Sequence, residues 1–465
     1  MQKGNKQDLE NLCGIDPLVK LFVDLISFDT QSDPESKTTP STVGQLRFGA
    51  YLLATINKLG YLAKQDSNGV ITVKVEATKG YEKAKSLCIL AHMDTAPDCS
   101  GANIEPSLVK NYQGGGIELE NGLVINDALC KDLKKHIGED IIVTDGTTLL
   151  GADDKSGISC ILQLLHNLKV TDKIVHGPLT IIFSVDEEIG LSTKYLDVKE
   201  IGCDYGLTVD GTSEGELDIA TFNAYGAIVN INGLSVHTAV AYKTLKNAIT
   251  IANEFMGLLP QDETPETTFG EEGFYHVHKI EGSTISCKLN MIIRDFTHTG
   301  MEKRLQFLDK VKDFINQKYG KDTISIKTMF QYANMQEQLD KHPKFIQMIK
   351  DAYKEAEVNV FENKVRGGTD GSNLSNQGLP TPNIFTGGLN CHGPYECLPV
   401  GAFNKAYKVL ENIVQLFKNA FLLLKIVKPV DQNIFFVQQC LSPLGESYVL
   451  QSLQKVIKQC LGITK

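Results

Sequence analysis

Short apolar runs along this chain predict buried strands, and each run is followed by an acidic or imidazole side chain. The runs occupy residues 86–91, 179–185, 205–209 and 383–386. They are rich in β-branched and aromatic residues, which favours strands that are covered on both faces. The side chains that follow them are His92, Glu187, Asp210 and His392, the last after a short loop. Because ligands bind at the carboxyl edge of an open α/β sheet, we expect these side chains to meet there.

Two further carboxylates accompany this set. Asp153 belongs to the segment Gly151-Ala152-Asp153-Asp154-Lys155. Apolar residues then recur with helical spacing at positions 158, 161, 162, 165 and 168, so Asp153 lies at a predicted loop-to-helix junction. Glu188 directly follows Glu187, which puts two adjacent carboxylates at one strand end.

These residue types suit zinc, with cobalt or manganese as substitutes, because imidazole favours the borderline metals and carboxylate accepts the harder ones. The simplest assignment of these ligands to two metal ions gives His92, Asp153 and Asp210 to one metal. The other metal receives Asp153, Glu188 and His392, so Asp153 bridges the two. Metals held about 3.5–4 Å apart can share and acidify one water. A lone His-x-Asp or Glu-Glu pair is usually an ordinary loop feature, but the conjunction predicts a two-metal hydrolase centre.

Two acidic residues beside these ligands remain for other tasks. Glu187 is the candidate general base, which takes the proton of the water and passes it to the leaving amine. Asp94 lies two residues beyond His92. We expect it to accept the other imidazole N–H and so to fix the orientation of the ring.

The order of the predicted elements indicates one domain inserted into another. Alternating strands and helices over residues 15–222 predict an α/β domain with a mixed, mainly parallel sheet and flanking helices. Residues 223–333 have the order strand, helix, two strands, helix, strand, which predicts an inserted ferredoxin-like α+β lid domain. Residues 334–417 return to complete the first sheet. We predict a mobile N-terminal extension at residues 1–14 and a mainly helical C-terminal extension at residues 418–465.

Several ordered motifs carry a resemblance to a known family. They are His92-Met-Asp-Thr-Ala-Pro, Asp145-Gly-Thr-Thr-Leu-Leu-Gly-Ala-Asp-Asp-Lys-Ser-Gly, Val185-Asp-Glu-Glu-Ile-Gly, Thr208-Val-Asp-Gly and Arg366-Gly-Gly-Thr-Asp-Gly. They resemble the motifs of the peptidase T family, which belongs to the co-catalytic dizinc exopeptidases related to glutamate carboxypeptidase, dipeptidases and aminoacylases. The resemblance runs from about residue 15 to about residue 418. It implies the same metal ligands and base, and removal of the N-terminal residue from tripeptides.

The resemblance also implies substrate contacts. Arg294 and Arg366 match positions suited to a peptide carboxylate, since a guanidinium can bind both carboxylate oxygens. Asn334 resembles another substrate-contacting position. His237 matches a lid histidine that reaches the reaction centre in relatives and helps to hold the oxyanion. Relatives commonly follow that histidine with Pro-Gly, whereas this chain has Thr238-Ala239.

Composition agrees with a soluble enzyme of small peptides. A chain of 465 residues with 42% hydrophobic residues is long enough for two domains. The formal net charge of −10 argues against nucleic acid as a partner. The 11 cysteines are scattered without a Cys-x-x-Cys pair, which favours reduced thiols and a cytoplasmic location. We expect no membrane partner, because no apolar stretch approaches about 18 residues.

Three functions are open from the sequence. The favoured one is a zinc-dependent tripeptide aminopeptidase that acts on small peptides. The second is a related dizinc dipeptidase, carboxypeptidase or N-acyl amino acid hydrolase. The third is a non-catalytic peptide- or metal-binding protein. The resemblance adds a homodimer through the lid domain, as in relatives.

Overall fold

A computed structural model of the protein describes residues 1–418. The predicted C-terminal extension lies outside the described residues, apart from its first position. Ahead of the lid, the elements are β1 (Gln2–Lys3), α1 (Lys6–Cys13), α2 (Pro17–Ile26), α3 (Val43–Lys58), β2 (Ala63–Gln65), β3 (Ile71–Val75), β4 (Leu87–His92), β5 (Ser107–Val109), β6 (Ile117–Glu118), β7 (Val124–Ile125), β8 (Ile141–Val143), α4 (Ala152–Val170), β9 (Leu179–Ser184), α5 (Val198–Ile201), β10 (Tyr205–Gly211) and β11 (Glu216–Thr221).

The lid and the returning segment follow. The lid contains β12 (Asn223–Asn232), α6 (Ala248–Leu258), β13 (Phe274–Gly282), β14 (Ser286–Asp295), α7 (His298–Tyr319) and β15 (Ile324–Tyr332). The returning segment contains α8 (Gln336–Leu339), α9 (Pro343–Glu355), β16 (Phe361–Val365), α10 (Asp370–Asn376), β17 (Asn383–Phe385), β18 (Cys397–Pro399) and α11 (Val400–Phe417).

A mixed eight-stranded sheet forms the centre of the main domain, in the order β16-β11-β17-β10-β4-β9-β3-β2. The pairs β17/β10, β10/β4 and β4/β9 are parallel. Every residue of β4 and β9 is buried, as expected for apolar strands covered on both faces. The four parallel strands therefore end at one edge of the sheet, and the predicted fold class is confirmed in this domain.

Helices cover this sheet on both sides. α2 packs on α4, and α11 packs on α4 and α9. α2 begins at Asp16, whose side chain accepts the N–H groups of Leu18 and Val19, and Pro17 takes the first helical position. The inward face of α11 contains side chains such as Phe403 and Leu410 that are fully buried, each of which stabilises the fold by roughly 1.5–3 kcal/mol.

The lid has a sheet and a core of its own. Its four strands are antiparallel and lie in the order β13-β14-β12-β15. α6 and α7 pack against one face of this sheet. Phe255, Leu289 and Ile315 are buried between sheet and helices. The order of strands and helices is the one expected of the ferredoxin-like lid.

The chain passes between the two sheets at Phe222 and again at residues 333–335. Asn334 joins these crossings. Its Oδ1 accepts the N–H of Thr221 at 3.0 Å, and its own N–H donates to Asn223 Oδ1 at 3.0 Å. Its Nδ2 donates to the carbonyl of Phe296 at 2.9 Å. These bonds tie the outgoing and returning segments together at the base of the lid.

The first fourteen residues form regular structure, so the expectation of a mobile extension was wrong. β1 pairs in parallel with β6, and α1 packs on β5. Asn5 caps α1 by accepting the N–H of Asp8 at 3.0 Å, and Leu9 is buried. The segment is mostly polar and its partners lie about a hundred positions away in the chain. Local pattern therefore could not predict the pairing.

Within residues 1–418, no helix combines the length and the apolar character that crossing a bilayer requires.

Candidate metal centre

The loops at the carboxyl edge of the central sheet bring the predicted ligands together. His92 is the last residue of β4, and Asp210 is the last but one of β10. Glu188 lies in the loop after β9, and His392 lies between β17 and β18. Asp153 lies at the start of α4, where its backbone is still extended (φ −87°, ψ 105°). Five positions from distant parts of the chain thus converge on one place.

The first group of ligands is centred on His92. Its Nε2 atom lies 2.8 Å from Asp153 Oδ1 and 3.3 Å from Asp210 Oδ1. One donor atom of each residue lies within 4.8 Å of the other two. The three donors therefore face a common point, as the ligands of one metal ion do.

The second group is centred on His392. Its Nε2 atom lies 3.3 Å from Asp153 Oδ2 and 3.0 Å from Glu188 Oε2. Asp153 therefore directs one carboxylate oxygen towards each imidazole, as a bridging ligand must. Glu188 Oε1 is buried and has no hydrogen-bond partner among residues 1–418. Because an unpaired buried carboxylate oxygen is costly, this atom fits a position that a cation completes.

Negative charge is crowded at this site. Burial, and then the charge of Asp153, raises the pKa of Asp210 to about 7 and that of Glu188 to about 7. Burial alone would raise the pKa of Asp153, but hydrogen bonds with His392 and His92 hold it below its usual range. The hydrogen bond to Asp153 raises the pKa of His392 to about 11. The carboxylates thus compete for positive charge, and two imidazoles with three carboxylates form a donor set that suits divalent borderline metals.

Glu396 holds the loop that carries Asp153. Its side chain is buried and accepts the N–H groups of Leu150 at 2.6 Å, Gly151 at 2.8 Å and Asp153 at 3.1 Å. Burial raises the pKa of Glu396 to about 7. The sequence analysis missed Glu396, because no spacing or short motif links it to a loop 243 residues away.

Asp94 supports both His92 and the loop of the candidate base. The hydrogen bond from His92 Nδ1 goes to the main-chain carbonyl of Asp94 at 2.9 Å, whereas the nearest carboxylate oxygen lies at 3.5 Å. The carboxylate instead accepts the N–H groups of Glu187 at 3.0 Å and Glu188 at 3.1 Å. The residue is where the sequence predicted it, but its carbonyl orients the ring and its carboxylate orients the neighbouring loop.

Glu187 keeps its carboxylate available for chemistry. No described residue donates a hydrogen bond to that carboxylate. Burial raises the pKa of Glu187 well above its usual range, and the charge of Asp370 adds to this effect. Asp370 is itself buried and accepts the hydroxyl groups of Ser184, at 3.0 Å, and Ser192. It is a second support that the sequence analysis did not find.

The two predicted substrate arginines carry charge that no carboxylate neutralises within the described residues. Arg294 Nη1 donates to the carbonyls of Tyr225 at 3.2 Å and Ile293 at 3.0 Å. Its guanidinium lies 5.4 Å from the centre of the Tyr332 ring. Burial raises the pKa of Tyr332, and the charge of Arg294 opposes this effect. Arg366 likewise donates only to uncharged acceptors.

Within the described residues, no hydrogen bond or ion pair joins Asn334 or His237 to the two ligand groups. The amide of Asn334 is used at the domain crossing, where it also accepts the N–H of Gln336 at 2.9 Å. His237 is exposed and accepts the N–H of Ala239 through Nδ1 at 3.2 Å. The structure therefore brings together the predicted metal ligands, Glu187 and Asp94, but it does not join His237 to them.

A further group of metal-ligating side chains occurs away from this edge. His136, Glu139 and Glu214 each offer one donor atom within 4.8 Å of the others. Lys405 Nζ lies 2.6 Å from Glu214, and His136 Nδ1 lies 3.2 Å from Glu139. A lysine therefore already supplies positive charge to this group from within the protein.

Comparison with known proteins agrees with this geometry. A family model described as peptidase family M20/M25/M40 matches residues 145–416. The chain belongs to this family. Peptidase T of Clostridium acetobutylicum is 40% identical over 407 residues, which cover 87% of this chain and 99% of that relative. Peptidase T of Halothermothrix orenii is 40% identical over 403 residues, which cover 86% and 98%.

Solved structures share the fold. Aminopeptidase PepT from Bacillus cereus superposes with a TM-score of 0.68 at 22% identity, over 86% of this chain and 98% of that one. A dinuclear metal binding peptidase of the M20 family from Bacillus subtilis gives 0.60 at 12% identity, over 88% and 99%. The predicted family, fold class and metallo-exopeptidase activity are confirmed by these comparisons. Within residues 1–418, the chain contains two candidate groups of metal ligands at the sheet edge, and the two groups share Asp153.

Removal of metal should make the stability of this protein fall as the pH rises from about 5 to about 8. The raised pKa values of Asp210 and Glu188, each about 7, mean that the metal-free folded state binds more protons than the unfolded chain in this range. Those protons stabilise the fold at low pH. They are lost as the pH rises past the pKa values that the two carboxyl groups have in the folded state. The raised pKa of His392 acts in the same direction. Calorimetric unfolding of chelated protein at several pH values measures the decline.

Addition of zinc should raise the Tm and flatten this pH dependence, because the metal supplies the charge that protons supplied. Asp210→Asn should weaken the rise in Tm. Glu139→Gln, which changes a carboxylate of the paired group, should leave it intact. An equal Tm with and without metal across the whole pH range would contradict the assignment of the two ligand groups.

Proposed function

We propose that this peptidase removes the N-terminal residue from tripeptides and uses two zinc ions to do so. The observation that carries the proposal is the position of Asp153, whose two carboxylate oxygens face different imidazoles. Beside it, Glu187 keeps a carboxylate that no described residue engages. The relatives named Peptidase T support the substrate class.

In this proposal His92, Asp153 and Asp210 hold one zinc ion, and Asp153, Glu188 and His392 hold the other. Cobalt or manganese would be accepted by the same donors. Zinc, when bound, supplies Lewis-acid chemistry, which lowers the pKa of water and offers positive charge to a developing oxyanion. The protein contributes ligand positions that Glu396 and Asp94 fix before substrate arrives.

Glu187 is the proposed general base. Its carboxylate takes a proton from the attacking water and delivers it to the amine of the departing dipeptide. Asp94 accepts the main-chain N–H of Glu187 at 3.0 Å. This bond orients Glu187 through its main chain and leaves the Glu187 carboxylate without a hydrogen bond to Asp94. Burial raises the pKa of Glu187, which increases its ability to hold a proton between the two transfers.

Arg294 and Arg366 are the proposed receptor for the C-terminal carboxylate of the substrate. A guanidinium binds both oxygens of a carboxylate, and among residues 1–418 no carboxylate pairs with either arginine. One side-chain N–H group of Asn334 donates to the carbonyl of Phe296 at the domain crossing. Asn334 would contact the substrate through its other side-chain N–H group. His237 would donate to the oxyanion once its loop is carried to the site by movement of the lid.

The lid is also the proposed surface for a homodimer. Several of its apolar side chains are exposed, namely Leu234 (48%), Tyr242 (84%), Ile249 (48%) and Ile285 (60%). Contiguous exposed apolar groups of this kind are typical of protein contacts. The dimer would act in the cytoplasm on small peptides, where its cysteines stay reduced.

The substrate class can be tested with one free tripeptide, its N-acetylated form and the matching dipeptide. Purified protein is assayed after chelation and again after addition of zinc. We expect metal-dependent release of the first residue from the free tripeptide alone. Cleavage of the acetylated peptide would instead assign an acyl hydrolase or a carboxypeptidase. No activity on any of the three would favour a binding protein.

Glu187→Gln should lower kcat by roughly two to four orders of magnitude, because it removes the proton carrier but keeps the shape of the side chain. The zinc content should stay at the wild-type value, since Glu187 is no ligand in this proposal. Glu200→Gln changes an exposed glutamate of α5 and serves as the control with wild-type kcat. Unimpaired turnover by Glu187→Gln would exclude the proposed base.

Ile285→Glu should convert the proposed dimer into a monomer, because it puts a charge into the exposed apolar surface of the lid. Light scattering after size-exclusion chromatography gives the mass directly. Ile137→Glu, at a side chain of the main domain that is 57% exposed, should leave the dimer unchanged. A wild-type protein that is monomeric at the same concentration would contradict this interface.

A further inference from the structure

Arg366 is held by a segment of the lid, residues 264–273, although Arg366 itself lies in the returning segment of the main domain. Nη1 donates to the carbonyls of Gly270 at 2.9 Å and Glu272 at 2.8 Å. Nη2 donates to Thr268 Oγ1 at 2.7 Å. Within the described residues these three acceptors, all uncharged, are the hydrogen-bond partners of the guanidinium. The charge of Arg366 is therefore oriented but not neutralised.

The hydroxyl of Thr268 has a fixed polarity. Its proton goes to the carbonyl of Thr264 at 2.7 Å. Its lone pairs are then left to accept from Arg366, so the hydroxyl cannot turn to donate elsewhere. Thr268 therefore engages one N–H group of the Arg366 guanidinium. That N–H group is not available to a substrate.

The hydrogen bonds leave a defined part of the guanidinium free. A guanidinium has five N–H groups. Both on Nη1 are used and one on Nη2 is used, so Nε and the other N–H of Nη2 remain. Two remaining donors are the number that a bidentate carboxylate contact requires.

Two aromatic rings also lie against the guanidinium of Arg366. Its guanidinium lies 5.2 Å from the ring centre of Phe222 and 5.5 Å from that of Phe274. Phe222 marks the crossing between the domains and Phe274 begins β13 of the lid. Contacts of a guanidinium with ring faces favour its charged form and restrict its movement.

The lid segment is itself held in two places, beside its start by ion pairs within the lid and near Arg366 by an ion pair to the returning segment. At its base Arg304 pairs with Glu263 and, at 2.9 Å, with Asp295. Lys364, two residues before Arg366, pairs with Glu271 at 2.8 Å. The segment thus has the support needed to hold a side chain in place.

We propose that Thr268 is a positioning residue for substrate recognition, which acts by holding Arg366 in its carboxylate-binding orientation. The inference rests on the proposed function, in which Arg366 binds the C-terminal carboxylate of a tripeptide. It adds that both domains build the carboxylate receptor, since the charge comes from the returning segment and its orientation comes from the lid. Thr268 touches Arg366 and not the substrate.

Thr268→Val tests this role, because it keeps the shape of the side chain and removes the acceptor. We expect KM for a free tripeptide to rise on the order of 10-fold, as for the loss of a hydrogen bond to a charged group. We expect kcat to change by less than about twofold, since the metal ligands and Glu187 are untouched. Thr268→Ser should restore the KM, and Thr268→Ala should behave as Thr268→Val.

Thr267→Val is the matched control. Thr267 also bonds to Thr264, with its Oγ1 3.1 Å from the hydroxyl of that residue, but it does not contact Arg366. It should leave KM and kcat unchanged. A KM raised equally by Thr267→Val would show that stability of the segment, and not the bond to Arg366, sets the affinity.

A double-mutant cycle separates this inference from the function on which it rests. Arg366→Ala should lower kcat/KM for the free tripeptide, and addition of Thr268→Val should lower it no further. If Arg366→Ala has no effect on kcat/KM, the proposed carboxylate receptor is wrong. If Arg366→Ala has its effect but Thr268→Val alone does not, or if the two effects simply add, the receptor stands and the role of Thr268 is overturned.

Discussion

Several carboxylates are crowded at one edge of the central sheet, and the residues around them are arranged to stabilise this concentration of negative charge. Asp153 lies between two imidazoles, and Asp210 and Glu188 lie close enough for the charge of Asp153 to raise their pKa values. Unpaired charges at partly buried positions are expensive unless donors or cations surround them. Main-chain N–H groups therefore point at the carboxylates behind the ligands, three at Glu396 and two at Asp94. The oxygens of the candidate ligands instead face the two imidazoles.

The same edge explains why the lid is inserted where it is. The metal ligands come from both sides of the insertion, so the main domain has to close before the site exists. Phe222 and Asn334 mark the two crossings, and hydrogen bonds of Asn334 hold them side by side. Arg294 on β14 and Arg366 after β16 both lie against one aromatic group, which contains Phe222 and Tyr332.

The sequence predicted what depends on local pattern and missed what depends on distant pairing. Apolar runs located the parallel strands. The sequence put His92 just after the end of β4, whereas in the structure His92 is the last residue of β4. Strand ends and the peptidase T resemblance together predicted which side chains would converge. Glu396 and Thr268 were missed because each acts on a residue about a hundred positions away or more, and neither interrupts a periodic pattern. The strand and helix before residue 14 were missed for the same reason, since their partners lie beyond residue 100.

The charges of the site also give the substrate a direction. The protein has 56 acidic and 46 basic residues, so acidic side chains outnumber basic ones. Within residues 1–418, Arg294 and Arg366 nevertheless donate to carbonyls and a hydroxyl, and to no carboxylate. Carboxylates such as Glu187 are concentrated at the metal edge. A short peptide carries an ammonium group at one end and a carboxylate at the other, and opposite charges attract strongly where water is excluded. In the proposed function, its ammonium end would be favoured at the acidic edge and its carboxylate end at the arginines, and this polarity would direct the first peptide bond to the candidate metal ligands.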